Sequence, residues 1–100
     1  MNDYIFLMYE SAQSASASTD SDWGVYLERL DESGHFGGGS AIGEGLCASK
    51  SEASASITAE LSGYIRVTAN SIEEARALLS GNPTYEAGGR VEIRELPRTG

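Results

Sequence analysis

Cysteine is nearly absent from this chain. Cys47 is the only one, so no internal disulfide or multi-cysteine metal site can form, and nothing points to an oxidising compartment. Basic residues are scarce too. Seven Lys and Arg stand against fifteen Asp and Glu, and the resulting net charge of -8 repels both nucleic-acid phosphates and anionic membrane surfaces. His35 is the single histidine, and one His, one Cys and scattered carboxylates give no metal-ligand spacing of a known kind. Long hydrophobic runs are missing as well. The run from Tyr4 to Tyr9 is too short to span a membrane, and it lacks the basic residues and cleavage site of a signal peptide. These absences lead us to expect a cytoplasmic protein with no metal, cofactor, nucleic-acid or membrane partner.

What remains is enough to fold. The chain is 40% apolar and carries five Tyr, two Phe and one Trp, which disfavours global disorder despite the acidity. At 100 residues, a single domain over 1–100 is expected. Asp3 to Tyr9 (DYIFLMY) reads as a strand, with Tyr4, Phe6 and Met8 on one side and Ile5, Leu7 and Tyr9 on the other. Ser11 to Ser18 (SAQSASAS) has no apolar period and reads as a mobile loop. Trp23, Tyr26, Leu27 and Leu30 then fall at i, i+3, i+4 and i+7, one stripe of an amphipathic helix that starts in the capping residues Thr19 to Asp22 and stops at Gly34.

Phe36 to Gly45 (FGGGSAIGEG) holds five glycines, so a strand there, placed around Ser40 to Ile42, must be bulged or closely approached. Ala48 to Ser56 reads as a hairpin tip between weak strands near Leu46 and Ile57. Beyond Gly63, Ile65, Val67 and Ala69 alternate with Tyr64, Arg66 and Thr68, giving a strand with one apolar face. Ser71 and Glu74 form a capping box ahead of Ala75, Leu78 and Leu79. Asn82 to Gly89 reads as a short helical turn closed by glycines, and Val91 to Leu96 as the last strand. Strand, helix, strand, strand, helix, strand is the order of an α+β, ferredoxin-like split βαβ sheet with two helices on one face. That leaves the other face bare. Because the first strand is apolar on both sides, a second copy is the simplest cover, and a homodimer is expected.

The segments YLERLDESGHFGGGSAIGEG and GYIRVTANSIEEARALLSGNPTYEAGGRVEIRELP, together with the opening DYIFLMYE, resemble the YCII-related (YciI-like) family of dimeric α/β-barrel proteins. The likeness spans nearly the whole chain. It implies that barrel fold, a dimer and a pocket between sheet and helices. Relatives carry a proposed His/Asp dyad, with the His early in the first helix and the Asp just before the proline that follows the second. The resemblance puts Trp23 and Asn82 at those places, lining the pocket. Trp does not exchange a proton at neutral pH and the Asn amide does not titrate, so the dyad is lacking. The Asp-Gly-Pro-Phe motif of another branch is also missing from Ser56 to Ser62 (SITAELS).

Other residues could still do chemistry. His35, the single histidine, is a candidate proton carrier, although a histidine just past Gly34 also suits the carbonyls at a helix C-terminus. Tyr64 and Arg66 share a strand face, as Glu92 and Arg94 do, and a guanidinium beside a phenol suits a carboxylate or phenolate ligand. The alternative is a solvated sheet face with ordinary ion pairs. Glu86 lies at the expected pocket rim and is either an acid/base group or an acceptor that fixes a glycine turn. Gly37 to Gly39 have no following Lys or helix, so they make a poor phosphate loop, and Cys47 reads as a small apolar group. The preferred reading is a small-molecule-binding or accessory homodimer that takes a small polar or anionic ligand. The alternative is a small enzyme, of isomerase, lyase or hydrolase kind, acting on a polar aromatic or lactone-like compound.

Overall fold

The centre of the sheet falls to the strand with the most apolar residues on both sides. In the computed structural model, which describes residues 1–10, 20–50 and 58–98, β1 (Asn2–Tyr9) lies between β3 (Leu61–Ala69) and β4 (Arg90–Leu96). It is antiparallel to both, and β2 (Phe36–Ala41) adds antiparallel to the far side of β3, giving the order β2-β3-β1-β4. This is the split βαβ arrangement read from the sequence. Its helices are α1 (Asp20–Glu32), α2 (Ile72–Ala77) and the single turn α3 (Pro83–Glu86). The loop read over Ser11 to Ser18, the residues of the hairpin tip beyond Lys50 and the strand at Ile57 lie outside the described residues.

Period-two alternation decides which face of the sheet the helices cover. Tyr4, Phe6 and Met8 from β1 join Ile65, Val67 and Ala69 from β3, Tyr26 and Leu30 from α1, and Ala75 and Leu79 at α2 in one buried cluster. Phe6 has no exposed surface, and burying a side chain of this size contributes about 1.5–3 kcal/mol. Trp23, Leu27, Phe36, Leu78, Val91 and Ile93 pack around the rim of that cluster. The opposite face presents Ile5 and Leu7, flanked in register by Arg66 and Tyr64 on β3 and by Arg94 and Glu92 on β4.

Local chemistry sets the element ends. Ser71 Oγ accepts the Glu74 amide at 3.1 Å to start α2, and the Glu74 carboxylate takes the Asn70 side-chain amide at 3.4 Å. α1 stops where Gly34 turns to φ +82° and donates to the Asp31 carbonyl at 3.0 Å. β2 corrects the sequence reading: the strand starts at Phe36, not near Ser40, and runs through the glycines. Its register with β3 shifts between Phe36 and Gly39, and Gly38 takes φ +104° at the irregularity, so the expected bulge is present. Gly39 then lies so close to β3 that a Cβ there would be 2.5 Å from the Tyr64 carbonyl. Leu46 is not in a strand. It is 87% exposed, and beside it Cys47 makes only an isolated bridge.

Candidate functional site

A cleft of about 400 Å³ opens on the helix side of the sheet, where the start of α1 diverges from the ends of β1, β2 and β3. Met8, Trp23, Leu27 and Phe36 make its walls, and Gly39 and Gly63 let the backbone form part of its floor. The size and apolar lining are those of a small-molecule site. Trp23 also meets the Tyr26 ring edge-on, with centroids 6.2 Å apart and an interplanar angle of 75°. Trp23 thus lines the cleft. Among the described residues, one acidic residue lines this cleft, Glu10.

Glu10 was not among the sequence candidates. Its position follows from the strand period: it stands two residues beyond Met8 and so continues the Tyr4, Phe6, Met8 face just where β1 ends. Its amide donates to the Glu60 carbonyl at 2.9 Å, and its carboxylate accepts the Thr84 hydroxyl at 3.0 Å. Thr84 has no exposed surface. One oxygen of the half-buried carboxylate is therefore held by a buried donor in α3.

Asn82 holds that donor in place. It has no exposed surface, so it does not line the cleft as the resemblance implied, and Met8, which its side-chain amide faces at 3.6 Å from Sδ, lines the cleft in front of it. Its side-chain oxygen accepts the Tyr85 amide at 3.1 Å and caps α3, with Pro83 in the first turn. Asn82 also bonds Tyr26, whose hydroxyl donates to the Leu78 carbonyl at 2.8 Å; burial pushes the Tyr26 pKa up despite the Asn82 bond. At this position an amide supplies both a donor and an acceptor, where a carboxylate would bury charge.

The other candidates are dispersed. His35 bonds the Thr68 carbonyl at 2.7 Å through Nδ1, which must carry the proton because a carbonyl only accepts. It thus reaches across to β3 and does not cap the helix it follows. Glu86 accepts the Gly81 amide at 2.9 Å and fixes the turn between α2 and α3. Arg66 and the Tyr64 side chain occupy the sheet face opposite the helices, in register with Ile5 and Leu7, and Tyr64 borders the cleft from its strand. On the same open face Arg94 pairs with Glu92 at 3.2 Å, both well exposed. His35, Glu86 and Arg66 are therefore not gathered at one reacting centre with Tyr64.

A four-stranded antiparallel sheet in this order, with its helices on one face, defines an α+β chain of ferredoxin-like fold. Among solved structures it is similar to 5-chloro-2-hydroxyhydroquinone dehydrochlorinase from Burkholderia phenoliruptrix, captured in complex with 2,5-dihydroxybenzoquinone. The superposition has a TM-score of 0.60 and covers 99% of this chain and 96% of that one, at 14% sequence identity. No family model matches the chain, and no curated protein matches it in sequence. At that identity the likeness is one of fold. No helix among the described residues is long and apolar enough to cross a membrane.

Proposed function

We propose that the protein binds a compact hydroxylated aromatic compound in the cleft between α1 and the sheet. The observation that carries this reading is Glu10, its carboxylate held by the Thr84 hydroxyl, on the lining of a cleft walled by Trp23, Leu27 and Phe36. Flat apolar walls take a ring, and a carboxylate accepts O–H groups from it. The same carboxylate repels an anion, which favours a neutral polar ligand over an anionic one. The fold neighbour is supportive, since the compound in its complex is a dihydroxylated ring. Trp23 is the only tryptophan in the chain, so its emission reports on the cleft directly. Hydroquinone is expected to change that emission saturably. Either Glu10→Gln or the use of 1,4-dimethoxybenzene, which has no O–H, should weaken binding by about tenfold or more, the worth of a charge-assisted hydrogen bond. An unsaturable response, or one indifferent to Glu10→Gln, overturns the reading.

Turnover is the second reading, and Glu10 is again the observation that favours it. A carboxylate facing a bound phenol can accept its proton, as a small isomerase, lyase or hydrolase would require. The neighbour with this fold is an enzyme that acts on a chlorinated hydroxyhydroquinone. Consumption of a hydroxylated aromatic, followed by chromatography and abolished by Glu10→Gln, separates turnover from binding alone.

The reading also includes a homodimer built on the open sheet face, where Ile5 and Leu7 stand between Tyr64, Arg66, Glu92 and Arg94. Apolar residues at the centre of a sheet with charged flanks suit a self-complementary contact. Sedimentation should give twice the chain mass, and Leu7→Glu should shift the protein to monomer. A wild-type monomer would remove this part of the proposal.

A further inference from the structure

The cleft beside Glu10 opens where one corner of the sheet has few side chains. Residues opposite one another on neighbouring strands share a face, and Met8 of β1 is in register with Gly63 of β3, which is in register with Ala41 of β2. In the next row Phe6 meets Ile65, and Ile65 meets Gly39. Met8, Phe6 and Ile65 belong to the buried cluster under α1, so Gly39, Ala41 and Gly63 stand on the helix side, where larger residues would fill the space. Trp23 and Leu27 of α1 line what is left open. A Cβ on Gly63 would lie 3.1 Å from the Ser40 carbonyl and 3.2 Å from the Met8 methyl group, so backbone and that methyl group floor the cleft at this point.

The rows also give the cleft a direction. Glu10 stands two residues beyond Met8, just past the end of β1, whereas Phe36 pairs with Val67, two rows inward from Gly63. Two residues advance a strand by about 6.6 Å, so Glu10 and Phe36 mark opposite ends of the lining. Charge is confined to the first end: among the described residues, no charged side chain lines the cleft from Met8 to Phe36. The hydroxyls along the way are engaged or turned aside. Ser62 Oγ donates to the Met8 carbonyl at 3.2 Å and Ser40 Oγ to the Ala41 carbonyl at 2.8 Å, while the Tyr64 side chain belongs to the opposite sheet face.

We infer that the ligand of this cleft is a phenol bearing a short hydrocarbon substituent, with its hydroxyl on Glu10 and its substituent lying over Gly63 and Gly39 toward Phe36. The inference rests on the Glu10 reading proposed above and narrows it from hydroxylated aromatics at large to amphiphilic ones. A volume of about 400 Å³ is in the range of drug-sized sites, more than a bare benzenediol fills. Each CH₂ group buried against these walls tightens binding about fourfold. A hydroxyl carried to the same place loses its water and gains less.

Calorimetric titration of the full chain with two molecules of equal size tests the inference. 4-Propylphenol ends in a methyl group where 4-(2-hydroxyethyl)phenol ends in a hydroxyl. The first is expected to bind more tightly by about tenfold or more. Ala41→Leu fills the corner from an exposed strand position and should cut that preference by about threefold or more; an amide spectrum that superposes on the wild type away from the cleft verifies its fold. In the wild-type complex, nuclear Overhauser contacts should run from the propyl methyl group to Phe36 and Ile65, not to Thr84 beside Glu10. The inference is overturned if 4-propylphenol does not bind, if the two phenols bind equally, if Ala41→Leu leaves the preference intact, or if the methyl group contacts Thr84. Hydroquinone binding that still depends on Glu10 would then leave the broader reading standing. If 4-propylphenol binds Glu10→Gln as tightly as wild type, the Glu10 reading falls and the inference with it.

Discussion

Replacing Gly39 by alanine tests how the Glu10 cleft is floored. A Cβ at this position would lie 2.5 Å from the Tyr64 carbonyl and 3.1 Å from Ile65 Cα, both backbone atoms that cannot swing aside. Ordinary contact begins near 3.4 Å, so β2 must back away from β3 by roughly 0.9 Å. A ladder bond stretched that far is lost, and losing about two bonds at roughly 1 kcal/mol each costs about 2 kcal/mol. Alanine returns up to about 1 kcal/mol by restricting the unfolded chain. The net loss is therefore about 1–2 kcal/mol, or roughly 5–15 °C in Tm for a domain of this size. Gly24, mid-way along α1 with nothing within 4 Å of a Cβ, is the matched control. There alanine should stabilise by about 0.5–1 kcal/mol. Urea and thermal unfolding of the two variants must give opposite signs. If Gly39→Ala is as stable as the wild type, the close approach of β2 to β3 is not what requires glycine there.

Three further outcomes are expected. Burial raises the Tyr26 pKa above its usual 10.0, so this group adds stability below that value which is lost as pH rises through the folded pKa; Tyr26→Phe should flatten the alkaline limb of a pH–stability profile. The Asp3 carboxyl, hydrogen-bonded by Arg98 at 2.7 Å, is held below its usual 3.8, so its contribution is present above that value and fades as pH falls; Asp3→Asn should flatten the acid limb, and added salt should reduce the difference. Thr84→Val keeps the shape of a fully buried side chain but removes the donor to Glu10. It should cost about 1 kcal/mol in urea unfolding and weaken hydroquinone binding.

Much of this fold can be read directly from residue patterns. Alternation in Asp3 to Tyr9 places β1 at the centre, the Trp23, Tyr26, Leu27, Leu30 stripe produces α1, and Asn82-Pro83 announces the capped turn of α3. β2 is less legible because glycine has no side chain to show a period, and its pairing is held by backbone alone. The site was half visible. Strand alternation separates Tyr64 and Arg66 from Ile65 and Val67, but which face the helices cover depends on the packed core, and that put Arg66 away from the cleft. Glu10 could have been found by extending the β1 period two residues past Met8. It was missed because the apolar run ends at Tyr9 and a terminal acid looks like solvent exposure.

The turn Pro83–Glu86 faces two ways, with buried Thr84 on the Glu10 carboxylate and Tyr85 exposed at the surface. So short an element is fixed to the core by its buried Asn82 cap. Thr84 therefore joins the Glu10 carboxylate to the turn that Asn82 caps. Whatever a ligand on Glu10 adds to the hold on this turn, the turn must return in full to the affinity for that ligand, because the free energy of the bound, folded protein does not depend on the order of the two steps.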